Sequence, residues 1–348
     1  MSFTVKLSSL TKEQRVQILK QYTVKPAKTQ YDPTPCVYRC FDLDIQNDLL
    51  YLPMGLLYAM DDPFKGRKFN RMNKDVVFTQ ELLTPETDPS GRGRDQVEVV
   101  DIALKRLQRK YTVFLACYTG MGKTAMIIYL TIHLKLKTVV LCLLSEVRQQ
   151  WVKAYDKFSG GTVIVQFVSG PNAILDPKAD VYIIGIKKAS LMSREDFVNI
   201  GIVVVDEAHM HSVLCFTEVL FKIQPKYLIG STATPDKAVA GYGLLRLYFG
   251  NEKHFIVKRE TKNFTVHKIE TNYKPTVEYV VRQGKSRPDW NLIVDTIEKN
   301  EERWNMIADI CLAHPDDKII ILCNRNCLAK GIYNILVEKG ESTFLFID

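Results

Sequence analysis

Residues 112–134 read TVFLACYTGMGKTAMIIYLTIHL, and this stretch decides the fold of the chain. Residues 112–116 are an apolar run that predicts a short buried strand, and residues 125–134 predict a helix directly after it. Between them, residues 117–124 carry two glycines, a lysine and a threonine in the spacing of a phosphate-binding loop. The order strand, loop, helix places the positive end of the helix dipole at that loop. The stretch therefore predicts a nucleoside-triphosphate site.

The loop also predicts which atoms hold the nucleotide. Its backbone N–H groups would surround the phosphates, Lys123 would reach the β- and γ-phosphates, and Thr124 would hold Mg²⁺ through its hydroxyl. Cys117 stands where such loops have glycine or alanine, and it is small enough to replace them. The predicted nucleotide contacts in the loop are Thr119, Gly120, Met121, Gly122, Lys123 and Thr124, with no chemical role expected for the Met121 side chain.

A second motif, VVVDEAH at residues 203–209, follows the first along the chain. An apolar run ending in two carboxylates is typical of a buried parallel strand that delivers acidic side chains to its carboxyl edge. Asp206 is predicted to bind the metal through water, and Glu207 to orient and deprotonate the attacking water. Asp206, Glu207 and Lys123 are therefore the predicted catalytic residues, and ATP with Mg²⁺ is the predicted cofactor pair.

The segment from Asp206 to His209, taken with TATP at residues 232–235, resembles the superfamily 2 helicases of the DEAH type. Further segments fall in the order of that family: residues 94–96, 139–151, 181–190 and 319–325. The resemblance covers about residues 92–348 and is strongest before residue 250. It implies a first RecA-like domain, the start of a second one, and movement along nucleic acid.

The resemblance also implies roles for single residues. Gln96 would hydrogen-bond the adenine edge, because an amide offers a donor and an acceptor together. The residues expected to couple the γ-phosphate site to the nucleic-acid grip are His209, Thr232 and Thr234. Contacts to DNA or RNA would go mainly to phosphates, from Gln150, Lys187 and Lys188. By contrast, the spacing of apolar residues around Trp151 predicts a core side chain.

The alternation of strands and helices predicts an α/β fold, with a parallel sheet covered by helices on both faces. The expected strands of this sheet are residues 112–116, 139–144, 163–168, 181–186, 201–205 and 227–231. We expect three parts: a small N-terminal α+β accessory domain at 1–90, the first RecA-like ATPase domain at 91–250, and a connector with an incomplete second RecA-like domain at 251–348. The last part is expected to hold strands at 263–273, 278–282 and 319–323, and helices at 291–312 and 326–339.

The N-terminal part has signals of its own. Residues 11–14, TKEQ, predict a capping box that opens a helix reaching about Tyr22. Residues 37–44 alternate like a half-buried strand, and residues 49–54 form a second strand-like run. A proline-marked turn is expected at residues 31–35. Because the motor motifs lie elsewhere, this part is expected to be dispensable for them.

Two segments between the N-terminal strands and the motor motifs have distinctive compositions. Residues 64–71, FKGRKFNR, mix basic and aromatic side chains, which suits either a nucleic-acid grip or a basic loop over the core. Residues 84–93, TPETDPSGRG, have the composition of a linker and mark the expected boundary between the first two parts.

Composition and charge limit which classes of protein this sequence can belong to. The net charge is +8, of which +7 falls within residues 91–250, as suits a polyanion partner. A solvated basic face would look similar. No apolar run approaches the roughly 18 residues that span a bilayer, and the first residues lack the apolar segment of a secretory signal. Eight cysteines without a CxxC pair indicate a reducing compartment, so a cytoplasmic location is expected.

The sequence has no Gln-x-x-Gly-Arg-x-x-Arg segment, which supplies arginine fingers to the cleft in this family. The chain as given is therefore expected to bind nucleotide but to turn over poorly. A fragment, a degenerate protein or an arginine from a partner would each account for this, and a fragment is favoured.

The overall layout resembles helicases of nucleocytoplasmic large DNA viruses, including the poxvirus transcript-release helicase. That likeness implies a role in viral transcription or DNA metabolism, a transcription-machinery partner, and a location in host cytoplasm or virion. Two other functions stay open: a duplex-DNA translocase subunit of a nuclease system, and a nucleotide-gated binding module without productive turnover.

Overall fold

The computed structural model describes residues 2–24, 37–59, 64, 66–170, 172–211, 218–219, 221–234, 242–251, 255–258, 267–271, 273–282 and 285–345. The chain divides into two compact units, Met1–Lys262 and Asn263–Asp348. The boundary expected near residue 90 lies within the first unit, so the division into three parts stays a prediction. The turn expected at residues 31–35 lies outside the described residues.

A seven-stranded parallel sheet forms the centre of the first unit. In sheet order its strands are β12 (Ile256–Lys258), β6 (Thr112–Cys117), β11 (Tyr227–Thr232), β10 (Ile202–Val205), β7 (Thr138–Cys142), β9 (Val181–Gly185) and β8 (Val165–Val168). Six of these match the expected strands, and β12 is additional. The central strands are buried along their whole length because both faces of the sheet are covered.

Three helices cover one face of this sheet: α2 (Gln96–Lys110), α3 (Lys123–Leu134) and α4 (Ser145–Ser159). Successive residues of a strand point to opposite faces, so Val113 and Leu115 pack on this side with Val99 of α2 and Trp151 of α4. Trp151 is 2% exposed, which confirms the prediction that it is a core side chain.

The opposite face carries α5 (Ile186–Leu191), α6 (Tyr242–Phe249) and the N-terminal region. That region contains β1 (Ser2–Lys6), α1 (Lys12–Gln21), β2 (Thr23–Val24), β3 (Tyr38–Arg39), β4 (Asp42–Asp44) and β5 (Leu49–Pro53). β5 lies between β1 and β4 in an antiparallel sheet, and β2 pairs with β3. Thr11 and Gln14 form the expected capping box of α1.

The N-terminal region shares one apolar core with the parallel sheet. Phe3, Leu50 and Met54 are buried in the same cluster as Phe114 and Val203 of the central strands. Removal of this region would expose that face to water, which is unfavourable for apolar surface. The described residues 2–24 and 37–57 thus contribute to the core of the first unit. That the motor motifs do not need residues 1–90 stays a prediction.

The segment from Phe64 to Arg71 lies at the amino ends of the strands. Phe64 is 6% exposed and meets the rings of Phe69 and Tyr111 edge-on, at 5.7 and 5.1 Å between centroids. Arg67 donates to Oε1 of Gln224 at 3.0 Å. These aromatic rings are used for packing, as expected of a loop over the core, and they are not displayed for base stacking.

The second unit contains a hairpin of β13 (Tyr279–Arg282) and β14 (Lys285–Pro288), followed by α7 (Trp290–Glu298), α8 (Glu301–Leu312) and α9 (Asn326–Glu338). The helix expected at 291–312 is two helices, since the side chain of Asn300 caps a new one by accepting from the Arg303 N–H at 2.7 Å. Residues 319–323 form no strand, so that strand prediction is wrong. The strand expected at 263–273 is absent from the described residues 267–271 and 273, and the rest of it lies outside the described residues.

The described part of the chain holds no helix long and apolar enough to cross a bilayer.

Asp180, at the amino end of β9, offers a test of the fold. Its carboxylate is 1% exposed and accepts from the N–H groups of Asn73 at 2.8 Å and Ile164 at 3.0 Å. Asp180→Ala removes the acceptor that both N–H groups share, so we expect the free energy of unfolding to fall by about 2 kcal/mol. Urea denaturation measures this. Asp75→Ala, at an exposed carboxylate, is the control, and equal losses in both variants would contradict the assignment.

Candidate nucleotide-binding site

Three neighbouring strands bring the chemical motifs to one edge of the sheet. β11 lies between β6 and β10, and all three are parallel. Thr232 pairs in register with Ala116, and Val205 pairs with Gly230, so the strands end almost level. Because the carboxyl ends of parallel strands meet at the same edge, the loops that follow them are neighbours. The phosphate-loop sequence and both acidic residues therefore belong to one site.

The loop after β6 has the backbone shape of a phosphate cradle. Gly120 and Gly122 have φ of 92° and 90°, a region where a side chain is strained. α3 begins at Lys123, so its first N–H groups face the loop. Lys123 folds back and donates from Nζ to the carbonyls of Cys117 at 3.0 Å and Tyr118 at 3.4 Å. A phosphate oxygen is a stronger acceptor that could replace these carbonyls.

Cys117 ends β6 with its side chain fully buried. Burial raises the pKa of its thiol to about 11. The group therefore stays neutral around pH 7 and fills space as a small apolar residue. This explains how cysteine serves at a loop position where glycine or alanine is usual.

Gln96 is tied into the protein by both ends of its amide. Its Oε1 accepts from the Leu83 N–H at 3.0 Å, and its Nε2 donates to the Met121 carbonyl at 2.9 Å. The residue is 5% exposed. A side chain on Gly122 would meet Nε2 at 2.2 Å, so the glycine permits this contact. Adenine reading by Gln96 stays a prediction, and the structure adds a contact to the phosphate loop through the Met121 backbone.

Asp206 is held by donors from three elements. Its Oδ2 accepts from the Trp151 Nε1 at 2.8 Å, and its Oδ1 accepts from the Ser231 hydroxyl at 2.8 Å and the Glu207 N–H at 3.0 Å. Hydrogen bonds to an ionised group are strong and fix its orientation. α4 and β11 thus position the carboxylate that β10 delivers.

Glu207, His209, Thr232 and Thr234 form a connected polar chain. The Thr232 hydroxyl lies 2.7 Å from His209 Nδ1 and 3.4 Å from Glu207 Oε2, and it accepts from the Thr234 N–H at 3.1 Å. Glu207 Oε2 lies 3.3 Å from His209 Nδ1. Glu207 has a φ of 46°, which is uncommon for a residue with a side chain. These four polar side chains link the acidic motif to the turn after β11.

The oxygen groups of this site suit Mg²⁺. Asp206 supplies a carboxylate, and Thr124 and Ser231 supply hydroxyls; such hard oxygen ligands are the ones that Mg²⁺ prefers. Since the carboxylate of Asp206 already accepts protein donors, a role through metal-bound water fits it. These residues match the donor set expected of a magnesium site.

The predicted nucleic-acid residues follow two other strands of the same sheet. Gln150 lies in α4, which follows β7, and Lys187 and Lys188 lie in α5, which follows β9. β7 and β9 are paired with Cys142 opposite Gly185, so both helices start at the edge that carries the phosphate loop. Gln150 and Lys187 are exposed. Their contacts with nucleic acid stay a prediction.

Sequence reasoning missed several residues of this site. Trp151 was expected only to fill the core, although a buried indole N–H needs an acceptor and this could have been anticipated. Ser231 precedes the TATP segment and carries a hydroxyl at the strand end. Arg94 donates to the Gly120 carbonyl of the loop, Asp88 accepts from Arg94, and the Leu83 N–H donates to Gln96.

Comparisons with known proteins give independent information on the family of this chain. The family model described as "Type III restriction enzyme, res subunit" matches residues 93–237. The protein named putative helicase 109L of Invertebrate iridescent virus 3 is 30% identical over 224 residues, covering 61% of this chain and 67% of that protein. Putative helicase 161L of Invertebrate iridescent virus 6 is 27% identical over 268 residues, covering 76% of this chain and 59% of that protein. The chain thus spans 59% of the length of the virus 6 protein and 67% of that of the virus 3 protein.

Among solved structures, the crystal structure of T4 UvsW matches 95% of this chain and 70% of its own chain. Its sequence identity is 12% and its TM-score is 0.49.

Trp151→Phe removes the indole donor while keeping most of the packing volume. Loss of a hydrogen bond to a charged group is expected to weaken Mg²⁺-dependent binding of an ATP analogue by about 10-fold. Titration with a fluorescent analogue, with Mg²⁺ and with EDTA, measures this. Trp290→Phe is the control, since Trp290 is 70% exposed in the second unit. Unchanged affinity in Mg²⁺ would show that Trp151 does not position Asp206 for the metal.

Proposed function

This chain belongs to the helicase family that includes the iridescent-virus proteins, and from that premise we propose that it works as an ATP-driven motor on nucleic acid. One observation supports this most directly. The phosphate loop with Lys123 and the anchored carboxylate of Asp206 follow strands of one parallel sheet that end at the same edge. That placement suits a site in which a lysine and an acid face opposite sides of a bound triphosphate.

In the proposed site, nucleotide binding uses groups that are already ordered. The loop N–H groups and the amino end of α3 attract the phosphates. Lys123 exchanges the carbonyls of Cys117 and Tyr118 for oxygens of the β- and γ-phosphates. Thr119, Gly120, Met121 and Gly122 contribute backbone contacts, and Gln96 contacts the adenine.

When Mg²⁺ is bound, it neutralises phosphate charge, with Thr124 and Asp206 as the residues that would hold it. Glu207 is proposed to orient the attacking water and accept its proton. The carboxyl side chain of Glu207 is 44% exposed, so water can reach it. Lys123 stabilises charge on the phosphates during transfer.

The polar chain from Glu207 to Thr234 is proposed to couple hydrolysis to nucleic-acid grip. His209 bridges Glu207 and Thr232, so a change at the γ-phosphate would reach the turn after β11. Turnover at full rate would also need arginine fingers from a second RecA-like domain.

The proposed nucleic-acid contacts go to the phosphate backbone of DNA or RNA. Lys187 and Lys188 would supply charge, and Gln150 would supply hydrogen bonds, without reading base sequence. The excess positive charge of residues 91–250 supports this role.

The viral relatives support a role in viral nucleic-acid metabolism. We place the protein in host cytoplasm or virion, acting on DNA or a DNA–RNA hybrid, with a transcription-machinery partner. The DEAH subtype and the likeness to the poxvirus transcript-release helicase are parts of this proposal.

A duplex-DNA translocase is the second candidate, since the matching family model is described by a restriction-enzyme subunit. Strand-displacement and triplex-displacement assays on the full-length protein separate the two. Removal of a triplex strand without unwinding of a duplex would favour the translocase. A nucleotide-gated module without turnover is excluded if single strands stimulate hydrolysis that Glu207→Gln abolishes.

Two substitutions test the nucleotide site in this chain. Lys123→Ala is expected to weaken binding of Mg²⁺ and a non-hydrolysable ATP analogue by about 100-fold, because a charged donor to the phosphates is lost. Glu207→Gln is expected to keep binding and abolish hydrolysis. Calorimetry and a phosphate-release assay measure these outcomes, with Lys178→Ala at an exposed site as the control. Equal nucleotide affinity in Lys123→Ala and the unaltered chain would refute the proposed site.

The double substitution Lys187→Ala, Lys188→Ala tests the nucleic-acid surface. Each phosphate contact to a single strand contributes about 0.7 to the slope of log affinity against log salt, so the slope is expected to fall by about 1.4. Fluorescence anisotropy with single-stranded DNA over a salt series measures it. Lys12→Ala, Lys20→Ala on α1 is the matched control with two exposed lysines. An unchanged slope would remove these residues from the interface.

A further inference from the structure

Residues 84–95, which link the N-terminal strands to α2, are ordered against the phosphate loop. Thr84 and Thr87 close a turn through mutual hydrogen bonds, and Asp95 caps α2 by accepting from the Glu98 N–H at 2.8 Å. The Gln96 N–H donates to the Leu83 carbonyl at 2.8 Å, which fixes the start of α2 to the near end of the segment. The segment with linker composition at 84–93 is thus hydrogen-bonded within the first unit.

Asp88 is the centre of this segment. Its carboxylate side chain is fully covered and accepts from five donors of Ser90 and Arg94. Arg94 alone supplies its backbone N–H at 3.0 Å, Nε at 2.9 Å and one terminal nitrogen at 2.6 Å. A guanidinium that binds a carboxylate through two N–H groups is held in one orientation.

The remaining arm of Arg94 reaches the phosphate loop. Its other terminal nitrogen donates to the Gly120 carbonyl at 3.0 Å. Gly120 is one of the two loop glycines with positive φ, where the backbone turns to present its N–H groups. Arg94 therefore connects a carboxylate outside the loop to the backbone of the loop itself.

A second hydrogen bond holds Met121, the next residue of the loop. Gln96 donates to the Met121 carbonyl at 2.9 Å, so the carbonyls of two successive loop residues are held from the 88–96 segment. A buried amide and a fixed guanidinium are both rigid supports, because their orientations are set by other hydrogen bonds. Neither contact uses the N–H groups that phosphates would take.

We propose that Asp88 and Arg94 are positioning residues that hold the phosphate loop in its nucleotide-binding shape before nucleotide arrives. The inference rests on the proposed function, because it concerns the same site. Asp88 orients Arg94, and Arg94 restrains the Gly120 backbone, so the loop does not have to be ordered on binding. A site that is ordered in advance binds its ligand more tightly.

The pH dependence of this pair follows from Asp88. Hydrogen bonding to the Arg94 guanidinium holds the pKa of the Asp88 carboxyl far below its usual range. A carboxyl with a lowered pKa contributes its stabilisation above the unfolded-state value of about 3.9 and loses it as the pH falls through the folded-state pKa. The pair therefore stays charged at neutral pH, and any pH dependence of nucleotide binding between about 5 and 8 must come from other groups.

Asp88→Asn and Arg94→Lys test the proposal in the full chain. The lysine keeps the charge beside Asp88 and protects folding, but one ammonium cannot reproduce the guanidinium fork and also reach Gly120. We expect affinity for a non-hydrolysable ATP analogue to fall by about 10- to 100-fold, as for other supporting residues. Hydrogen exchange of residues 117–122 without nucleotide is expected to become faster in both variants.

Asp42→Asn is the matched control, because it breaks the Asp42–Arg194 ion pair of 3.0 Å in the same unit without touching the loop. Its thermal midpoint reports the cost of losing an ion pair, while its nucleotide affinity and loop exchange should equal those of the unaltered chain. Faster loop exchange in both test variants together with weaker binding supports the proposal.

Unchanged loop exchange in Asp88→Asn and Arg94→Lys overturns the proposal whether or not nucleotide binds. Faster exchange with wild-type affinity overturns it as well, since the restraint would then not serve binding. If the unaltered chain shows no Lys123-dependent binding, the proposed function fails, and the exchange measurement still decides whether the pair restrains the loop.

Discussion

The site depends on the parallel register of three strands. β6, β11 and β10 end almost level, so the loops after them face each other across one strand. β11 lies in the middle and supplies Ser231 and Thr232, which reach Asp206 and Glu207 respectively. A shift of one residue would turn these side chains to the other face of the sheet. The close packing of specific side chains on both faces disfavours such a shift.

The strand register determines where the polar groups at this edge of the sheet lie. Asp206 accepts from Trp151, whose ring packs into the core beneath α4. The position of α4 therefore fixes the orientation of the Asp206 carboxylate through the Trp151 side chain. In the same way, Arg94 connects Asp88 to the Gly120 backbone, because it donates hydrogen bonds to both. Rigid elements hold the groups expected to contact nucleotide, which is what a site needs for strong electrostatic interactions.

The N-terminal region affects the site through the core. Phe3, Leu50 and Met54 cover the face of the sheet opposite α2, α3 and α4. The same layer contains Phe114 of β6, which leads into the phosphate loop. Without this cover the strand carrying the loop would lose apolar burial on one side. The accessory part and the motor motifs are therefore linked by packing within the first unit.

The sequence by itself determined the parallel sheet and the placement of its motifs, because apolar strands alternating with helices leave few ways to bury both faces. The glycine-rich loop and the acidic pair could be predicted as site candidates because local backbone geometry and charge restrict their residue types. The distant side chains that support them became evident only in the folded chain: Trp151 for Asp206, Asp88 and Arg94 for Gly120, and described residues within 2–24 and 37–57 for the second face. The apolar periodicity also did not predict the helix break at Asn300 or the absence of a strand at 319–323. Helix capping and strand pairing depend on partners that this periodicity does not identify.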